Sequence, residues 1–522
     1  MSSSLAKNSK VGVIGSGISS LTFTYFLSKL RPDLKFTVFE KESYTGGYIK
    51  SELLPFQGEM VRVEKGPRTL RAVNEGTSIM VDILIKLGKF DKVRVIKKDS
   101  IANRKYLLSP KNELIEVPSG SLKSMVKFFS DDLTKGLVSS VLKEPFQPKP
   151  QTSQDESVQS FLKRRFPGAN VGDNIVSAIY HGIYAADINK LSIRSTMSKL
   201  VEFENQKGSI VKGVLFGDKS RKSRSILPEY LSLFNNKSNE KYDLIKLDSE
   251  LKKFPMILFE NGLSTFTNAV YNELSQSANV QFKLNTPVES LKQTEGNGKL
   301  VVNNEYEFDH VRSTINVNQL AKTFETDSKL TATSNKLNYV DIFLVNVYLP
   351  KNAIKQNGFG FLVPLSNANP EKLLGVIYDS DIEKSSMRLF QNEKADTYGD
   401  DMVSSYDNSK AYTKVTLMFG GHFFANCKSI PSEEELQKNI KTALQKTLNI
   451  DLDSVEHLVS STYIPQCLPQ FHVGYQELTK LFHEELKGEF KGKLSHGGMS
   501  FGNGAGVPDC VVNALEAAID LK

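Results

Sequence analysis

No apolar run in the 522-residue sequence approaches the ~20 residues that a membrane-crossing helix needs. Among the longest is Phe343 to Pro350, so no transmembrane helix is expected. Cysteine is scarce. Cys427, Cys467 and Cys510 lie far apart, which excludes a disulfide framework and leaves no closely spaced pair to seed a zinc site. No metal is expected. The seven histidines form no pair at the spacing of a metal or triad motif, so no catalytic acid or base is assigned, and His181 is read as structural. The opening MSSSLAKNSK holds neither an apolar signal core nor an Arg-rich presequence, so any organelle address is expected to be internal. Basic residues do not form a stripe interleaved with aromatics, which argues against nucleic-acid binding.

What is present is ordinary globular composition, 39% apolar with a mild net charge of +7, in a chain too long for one core. Two or three lobes are expected. KVGVIGSG, the helical stretch Ile18 to Leu30 and KFTVFEK read as strand, helix and strand. Gly15, Gly17 and Ser20 fill a G-x-G-x-x-G turn between the first two, where glycine permits a tight bend and close approach of a pyrophosphate. Glu40 ends the second strand, where a carboxylate can accept from ribose hydroxyls. A site for NAD or for FAD meets these conditions equally well.

Further along, apolar residues recur every three or four positions from Ser121 to Lys143 with lysines between them, predicting one amphipathic helix. That pattern suits either packing inside a lobe or contact with a membrane surface. The Lys-, Ser-, Asn- and Glu-rich stretch 219–253 reads as an exposed polar insertion, its cluster Lys219, Arg221, Lys222 and Arg224 as a solvated basic loop. Residues 391–410 read as a mobile loop between two strands. The chain closes on a strand, a turn containing Gly502, Gly504 and Gly506, and a helix whose N-terminus can stabilise negative charge.

Glu40, Gly46 and Gly47 resemble the glutamate and double glycine of flavin amine oxidases, phytoene desaturases and protoporphyrinogen oxidases, which favours FAD over NAD. EKGPRTLR (Glu64 to Arg71), SIANRKYLLSP, YHGIYAADINKLSIRSTMSKL, GFGFLVPLS and VTLMFGG resemble segments of the oxygen-dependent protoporphyrinogen oxidases in particular. Ser20, Lys50, Ala186 and Asn261 depart from the pattern. The resemblance implies an α/β chain, mixed α+β, with a Rossmann-like FAD-binding domain, a mixed-sheet substrate domain and a helical membrane-binding lobe. Its implied divisions are 8–105, 254–330 and 486–522 for the FAD domain, 106–218 for the helical lobe, 219–253 for the insertion, and 331–485 for the substrate domain.

Carried over position by position, the resemblance implies FAD contacts at Gly15, Ser16, Gly17, Ile18, Ser19, Glu40, Lys41, Gly46, Gly47, Tyr48, Val288, Gly504 and Val507. It implies substrate contacts at Arg104, whose planar fork suits a propionate, and at Phe359, Leu362, Met418 and Gly182. Arg68 is implied to act electrostatically beside the flavin. The implied reaction oxidises protoporphyrinogen IX with oxygen, giving peroxide. The implied setting is a homodimer docked on the mitochondrial inner membrane from the intermembrane space. Two alternatives stay open at this point: another flavin oxidase of the amine oxidase and desaturase group, and a tetrapyrrole-binding flavoprotein without turnover.

Overall fold

Val11 and Val13 alternate with Gly12 and Ile14 along the first strand, and both sets are buried, as a parallel strand covered on two faces requires. In the computed structural model, which describes residues 5–118, 122–149, 154–217, 225–234, 243–294, 298–324, 328–390, 410–427, 429–502 and 504–522, that strand is the centre of a five-stranded parallel sheet. The order is Leu494–His496, His310–Ser313, Lys10–Ile14, Lys35–Phe39, Val280–Lys283. Val11, Val13, Phe36 and Val38 share a core with the helices Ile18–Leu30, Glu75–Lys86 and Val507–Asp520. Ile14, Phe39 and Val311 share the other with a small meander whose Phe308 lies over Gly12. A Cβ at Gly12 would come within 2.9 Å of the Phe308 ring, so glycine there lets meander and sheet meet. Three separate stretches of chain thus build one parallel sheet.

The second sheet has seven strands in the order Leu458–Pro469, Tyr339–Leu349, Thr413–Gly420, Leu373–Ile377, Gly360–Leu362, Lys105–Leu108, Leu114–Glu116. It is mixed, since Gly360–Leu362 runs parallel to Lys105–Leu108 and the other neighbours are antiparallel. One face packs on the helix Glu433–Leu448, which buries Leu436, Ile440, Ala443, Leu444 and Leu448 at helical spacing. Ser432 caps its start by accepting from the Glu435 N–H, and Asn449, in the left-handed region at φ 56°, ends it. The opposite face carries Ile342, Leu344, Leu374 and Met418 toward the nucleotide-binding half. Residues 105–108 and 114–116 belong to this sheet, although the sequence reading divided helical lobe from FAD domain at 105/106.

Two other sequence expectations change. The helix foreseen over 121–143 is two helices, Leu122–Ser130 and Leu137–Lys143, separated by a short 3₁₀ turn at Asp132–Thr134. Asp131 stops the first by accepting from Leu133 N–H, and Gly136 takes φ 78° before the second. The stretch 219–253 is not an exposed insertion where it is described. Leu227–Phe234 and Leu244–Leu251 bury Leu227, Tyr230, Leu244, Leu247 and Leu251 in the core of the nucleotide-binding half, and Ser78 donates to Asp248 at 2.7 Å. Polar average composition concealed two short apolar stripes. The basic cluster at 219–224, and nearly all of the loop expected at 391–410, lie outside the described residues. Among the described residues no helix is long and apolar enough to cross a membrane, and no group of His, Cys, Asp and Glu is arranged to hold a metal.

Candidate functional site

The strand Lys10–Ile14 ends in a turn at Gly15, with φ 92°, and leads directly into the helix Ile18–Leu30. Gly17 caps that helix with no side-chain bond, so the first-turn N–H groups are free of any side-chain cap. A second glycine turn meets it, with Gly46 N–H bonded to Ser16 carbonyl at 2.9 Å and Gly46 and Gly47 at φ 112° and 60°. A Cβ on Gly47 would lie 3.1 Å from Gly17 Cα, so the two backbones pass as closely as glycine permits. Glu40, 8% exposed, accepts from Ser16 N–H (2.8 Å), Ser16 hydroxyl (2.6 Å) and Glu42 N–H (3.0 Å). It holds the first turn in place and keeps acceptor capacity, since a carboxylate offers about four lone-pair sites. An uncapped helix N-terminus beside two bare glycine turns and a carboxylate is a fitting cradle for the diphosphate and ribose of FAD.

The other expected cofactor positions divide. Ile18 and Ser19 open the helix and are buried with the cradle, and Tyr48 follows the second turn, donating its hydroxyl to the Gln466 carbonyl at 3.3 Å. Val288 is half-buried against the meander core. Lys41 is exposed and pairs with Glu42 at 3.4 Å, which directs it to solvent. The Lys50 ammonium lies 4.3 Å from the centre of the Tyr44 ring. Asn261 takes φ 68° where the related pattern has glycine, a conformation asparagine tolerates, and accepts from Arg62 at 2.8 Å. At the C-terminal turn, Gly504 lies against Asp509, and Val507 is the first residue of the last helix. Asp509 occupies that helix's first turn, accepting from Gly506 N–H at 3.1 Å and from Asn74 at 2.6 Å, so a carboxylate already sits at this positive end.

Arg68 is not a free cation. It donates to Asp379 at 2.7 Å in an ion pair whose side chains are each only 8% exposed. Thr416 hydroxyl lies 2.7 Å from the other Asp379 oxygen and 2.9 Å from Asn346, whose amide donates to the Glu64 carbonyl at 3.1 Å. The Glu64 carboxyl, both oxygens 2.9 Å from Ser51 hydroxyl, is pushed up to about 7 by burial, against the pull of Ser51, Arg68 and Lys414. This polar cluster ties the seven-stranded sheet, through Asn346 and Thr416, to the hairpin of Ser51–Phe56 and Glu59–Glu64, and any influence of Arg68 is tempered by Asp379.

Of the expected substrate residues, Gly182, Leu362 and Met418 come together. Gly375 pairs with Leu362 on one side and Met418 on the other, which places all three in one row across adjacent strands. A Cβ on Gly182 would meet Leu362 at 2.9 Å, so the helix Ser177–Tyr184 rests directly on that row. Met418 also shares a cluster with Tyr48 and Phe423, tying the row to the cofactor cradle. Arg104 and Phe359 form a second group: Phe359 N–H donates to the Arg104 carbonyl at 2.7 Å, and Phe359 packs with Ile96, Ala102 and Met256, whereas Leu362 packs with Leu107, Ile115 and Ala178. Arg104 is exposed, bonds the Tyr106 hydroxyl, and makes no ion pair among the described residues. Its fork is available to an anionic ligand.

Asp379 and His422 carry no signature in the sequence, and Glu64 stands in it only as the first residue of EKGPRTLR. Asp379 pairs across 311 positions, and His422 meets His181 across 241, so no local spacing could reveal either.

The model of the flavin containing amine oxidoreductase family matches residues 27–519. Protoporphyrinogen oxidase of Saccharomyces cerevisiae is 37% identical over 99% of this chain and 98% of its own length. That of Schizosaccharomyces pombe is 29% identical over 97% of each. A solved structure from Exiguobacterium sp. 255-15 superposes with a TM-score of 0.70 at 19% identity, covering 99% of this chain and 100% of that one, a likeness of fold. FAD is the cofactor, and the glycine turns, helix N-terminus and Glu40 fit it. Full-length kinship and a matching cradle place the chain in the flavin containing amine oxidoreductase family and, within it, among the protoporphyrinogen oxidases.

Proposed function

We propose that this chain oxidises protoporphyrinogen IX to protoporphyrin IX with oxygen as final acceptor and hydrogen peroxide as by-product. The observation that carries the reading is identity to a protoporphyrinogen oxidase across essentially the whole chain, which spans the substrate sheet as well as the nucleotide cradle. FAD, when bound, supplies the two-electron oxidation and its return to oxygen. The protein's own work is to bind and orient. Leu362, Met418 and Gly182 offer an apolar row to a flat macrocycle, and Arg104 offers a bidentate donor to a propionate. The test is porphyrin fluorescence appearing from protoporphyrinogen IX on FAD-loaded protein, with coproporphyrinogen III in parallel and an enzyme-free autoxidation control. Formation of protoporphyrin well above the control is expected; none above it, at full FAD occupancy, overturns the reading.

The proposal extends to a membrane surface, on the intermembrane-space side of the mitochondrial inner membrane, and to a homodimer. Supporting the first, large apolar side chains stand exposed along both short helices and beyond: Val126, Phe129, Val138, Leu142, Phe146 (84% exposed) and, on the helix Ile210–Phe216, Val214 to Phe216. Ile210–Phe216 packs against the turn Glu144–Phe146, and so does Leu137–Lys143. Apolar area of this extent on neighbouring elements suits the headgroup boundary of a bilayer. Sedimentation equilibrium in detergent tests the dimer.

A further inference from the structure

His181 and His422 meet edge to edge, with ring centres 5.0 Å apart, planes 23° from parallel and Nε2 atoms 2.9 Å from one another. Only one proton fits between two facing ring nitrogens, and the surroundings decide which ring carries it. His181 Nδ1 lies 2.7 Å from the Val363 carbonyl oxygen, a group that only accepts. His181 therefore keeps its proton on Nδ1 and, as a neutral ring, presents a lone pair at Nε2. His422 must donate Nε2–H into that lone pair, which leaves His422 Nδ1 unprotonated. Among the described residues no donor is bonded to this nitrogen.

The pair belongs to the substrate row. His181 precedes Gly182, which rests on Leu362, and Val363 follows Leu362 on the same segment. His422 is followed by Phe423, which packs with Met418 and Tyr48. Its backbone N–H donates to Ala185 at 2.8 Å, and Ala185 holds φ 50°, a left-handed conformation costly for alanine. Burial holds both rings neutral. His181 is lowered to about 4 by burial and then by His422, and His422 is lowered by burial. The charged groups facing His422 are Asp187, which favours its protonated form, and Lys190, which opposes it; His472 faces the same two.

We propose that His422 Nδ1 accepts the pyrrole N–H proton released as the macrocycle is oxidised, with His181 as the residue that positions it. This rests on the reaction proposed above. In each two-electron step the C–H bond at a bridging carbon breaks, and its electron pair would leave as hydride to bound FAD as oxidant. The pyrrole N–H bond breaks, its pair stays with the ring system as a C=N bond forms, and the proton joins His422 Nδ1. Three such steps remove three bridging hydrogens and three N–H protons, and one proton then shifts from the remaining CH2 bridge to a ring nitrogen, which leaves four methine bridges and two N–H groups. The resulting imidazolium keeps its Nε2–H bonded to His181, and loss of the Nδ1 proton to solvent resets it.

The experiment compares FAD-loaded wild type with His422→Gln, His422→Ala, His181→Ala and His181→Gln, reading kcat and KM for protoporphyrinogen IX against pH together with flavin absorbance. His422→Gln is expected to lower kcat about 100-fold, within the usual range for a general base, with KM and FAD occupancy little changed and the acidic limb of the pH profile lost. Free imidazole restores part of the activity of His422→Ala. His181→Gln, which offers the same donor to Val363 and acceptor to His422, retains more kcat than His181→Ala. Ring-nitrogen NMR of the FAD-loaded protein, independent of turnover, shows His181 protonated at Nδ1 and His422 at Nε2. An unchanged pH profile in His422→Gln, absent imidazole rescue, or the opposite tautomers each overturn the proposal. Wild type that forms no porphyrin overturns the reaction itself and the proposal with it, a result distinct from active wild type with equally active variants.

Discussion

Arg68 and Arg104 are the same residue type in opposite situations, and their variants separate binding from stability. Arg104 is exposed with no ion pair among the described residues, so Arg104→Ala removes a ligand contact and one side-chain bond to Tyr106, whose hydroxyl keeps its bond to the Asn357 carbonyl. Charge-assisted hydrogen bonds contribute ~1.5–3 kcal/mol, so KM for protoporphyrinogen should rise about tenfold or more while thermal stability stays level. Steady-state kinetics beside a melting curve checks both halves. Arg68 is locked to Asp379 in a buried pair, and Asp379→Ala leaves its charge stranded. Loss of one partner of such a pair costs about 3–5 kcal/mol, so the denaturation midpoint should fall markedly whatever happens to activity. The motif around Arg68 was readable because Gly-Pro-Arg is contiguous. Its counter-charge was not, since Asp379 lies 311 positions away in a stretch with no signature of its own. For the same reason His181 read as a lone structural residue until the fold set His422 against it.

At the scale of elements, the glycine turns were legible because their chemistry is local: a bend, a close approach and a helix start within a few residues. Gly47→Val should purify with much less FAD, because φ 60° disfavours a β-branched residue and its Cβ would press on Gly17 Cα at 3.1 Å. The ratio of flavin to protein absorbance measures it, and full occupancy would contradict the cradle. The amphipathic helix was legible as a pattern but not in its break, because Asp131 and Gly136 act through a cap and a left-handed turn that periodicity does not register. The two helices within 219–253 were missed because short apolar stripes vanish in an average over a polar segment. If the exposed face meets a bilayer, replacing Val126, Leu142 and Phe146 together by glutamate should abolish co-sedimentation with anionic liposomes and leave kcat for detergent-dispersed substrate near wild type. Undiminished binding would remove these helices from the docking surface.

For the molecule as a whole, histidine burial sets an acid limit that no motif announces. Six of the seven histidines, His181, His310, His422, His472, His483 and His496, have their proton affinity lowered mainly by burial, His181 to about 4 and His310 and His496 to about 3. Each binds its proton more readily in the unfolded chain, at an ordinary value near 6.5. Stability from these groups is therefore whole above about pH 6.5 and lost as pH falls toward their folded values, with His181, His310 and His496 each contributing up to about 1.4 kcal/mol per pH unit. Glu64 acts in the opposite sense. Raised from 4.5 to about 7, it binds a proton more readily when folded and favours the folded state as pH falls between those values. Asp381 and Asp509, also raised by burial, act as Glu64 does. Between about pH 6.5 and 5.5 the histidines outnumber these carboxyls, so the urea midpoint of the FAD-bound protein should drop over that unit of pH. His310→Gln, which cannot take up a proton, should shallow the drop. A midpoint flat across this range would mean that the buried rings find compensating charge on protonation, and the neutral state required of the His181–His422 pair would lose its physical basis.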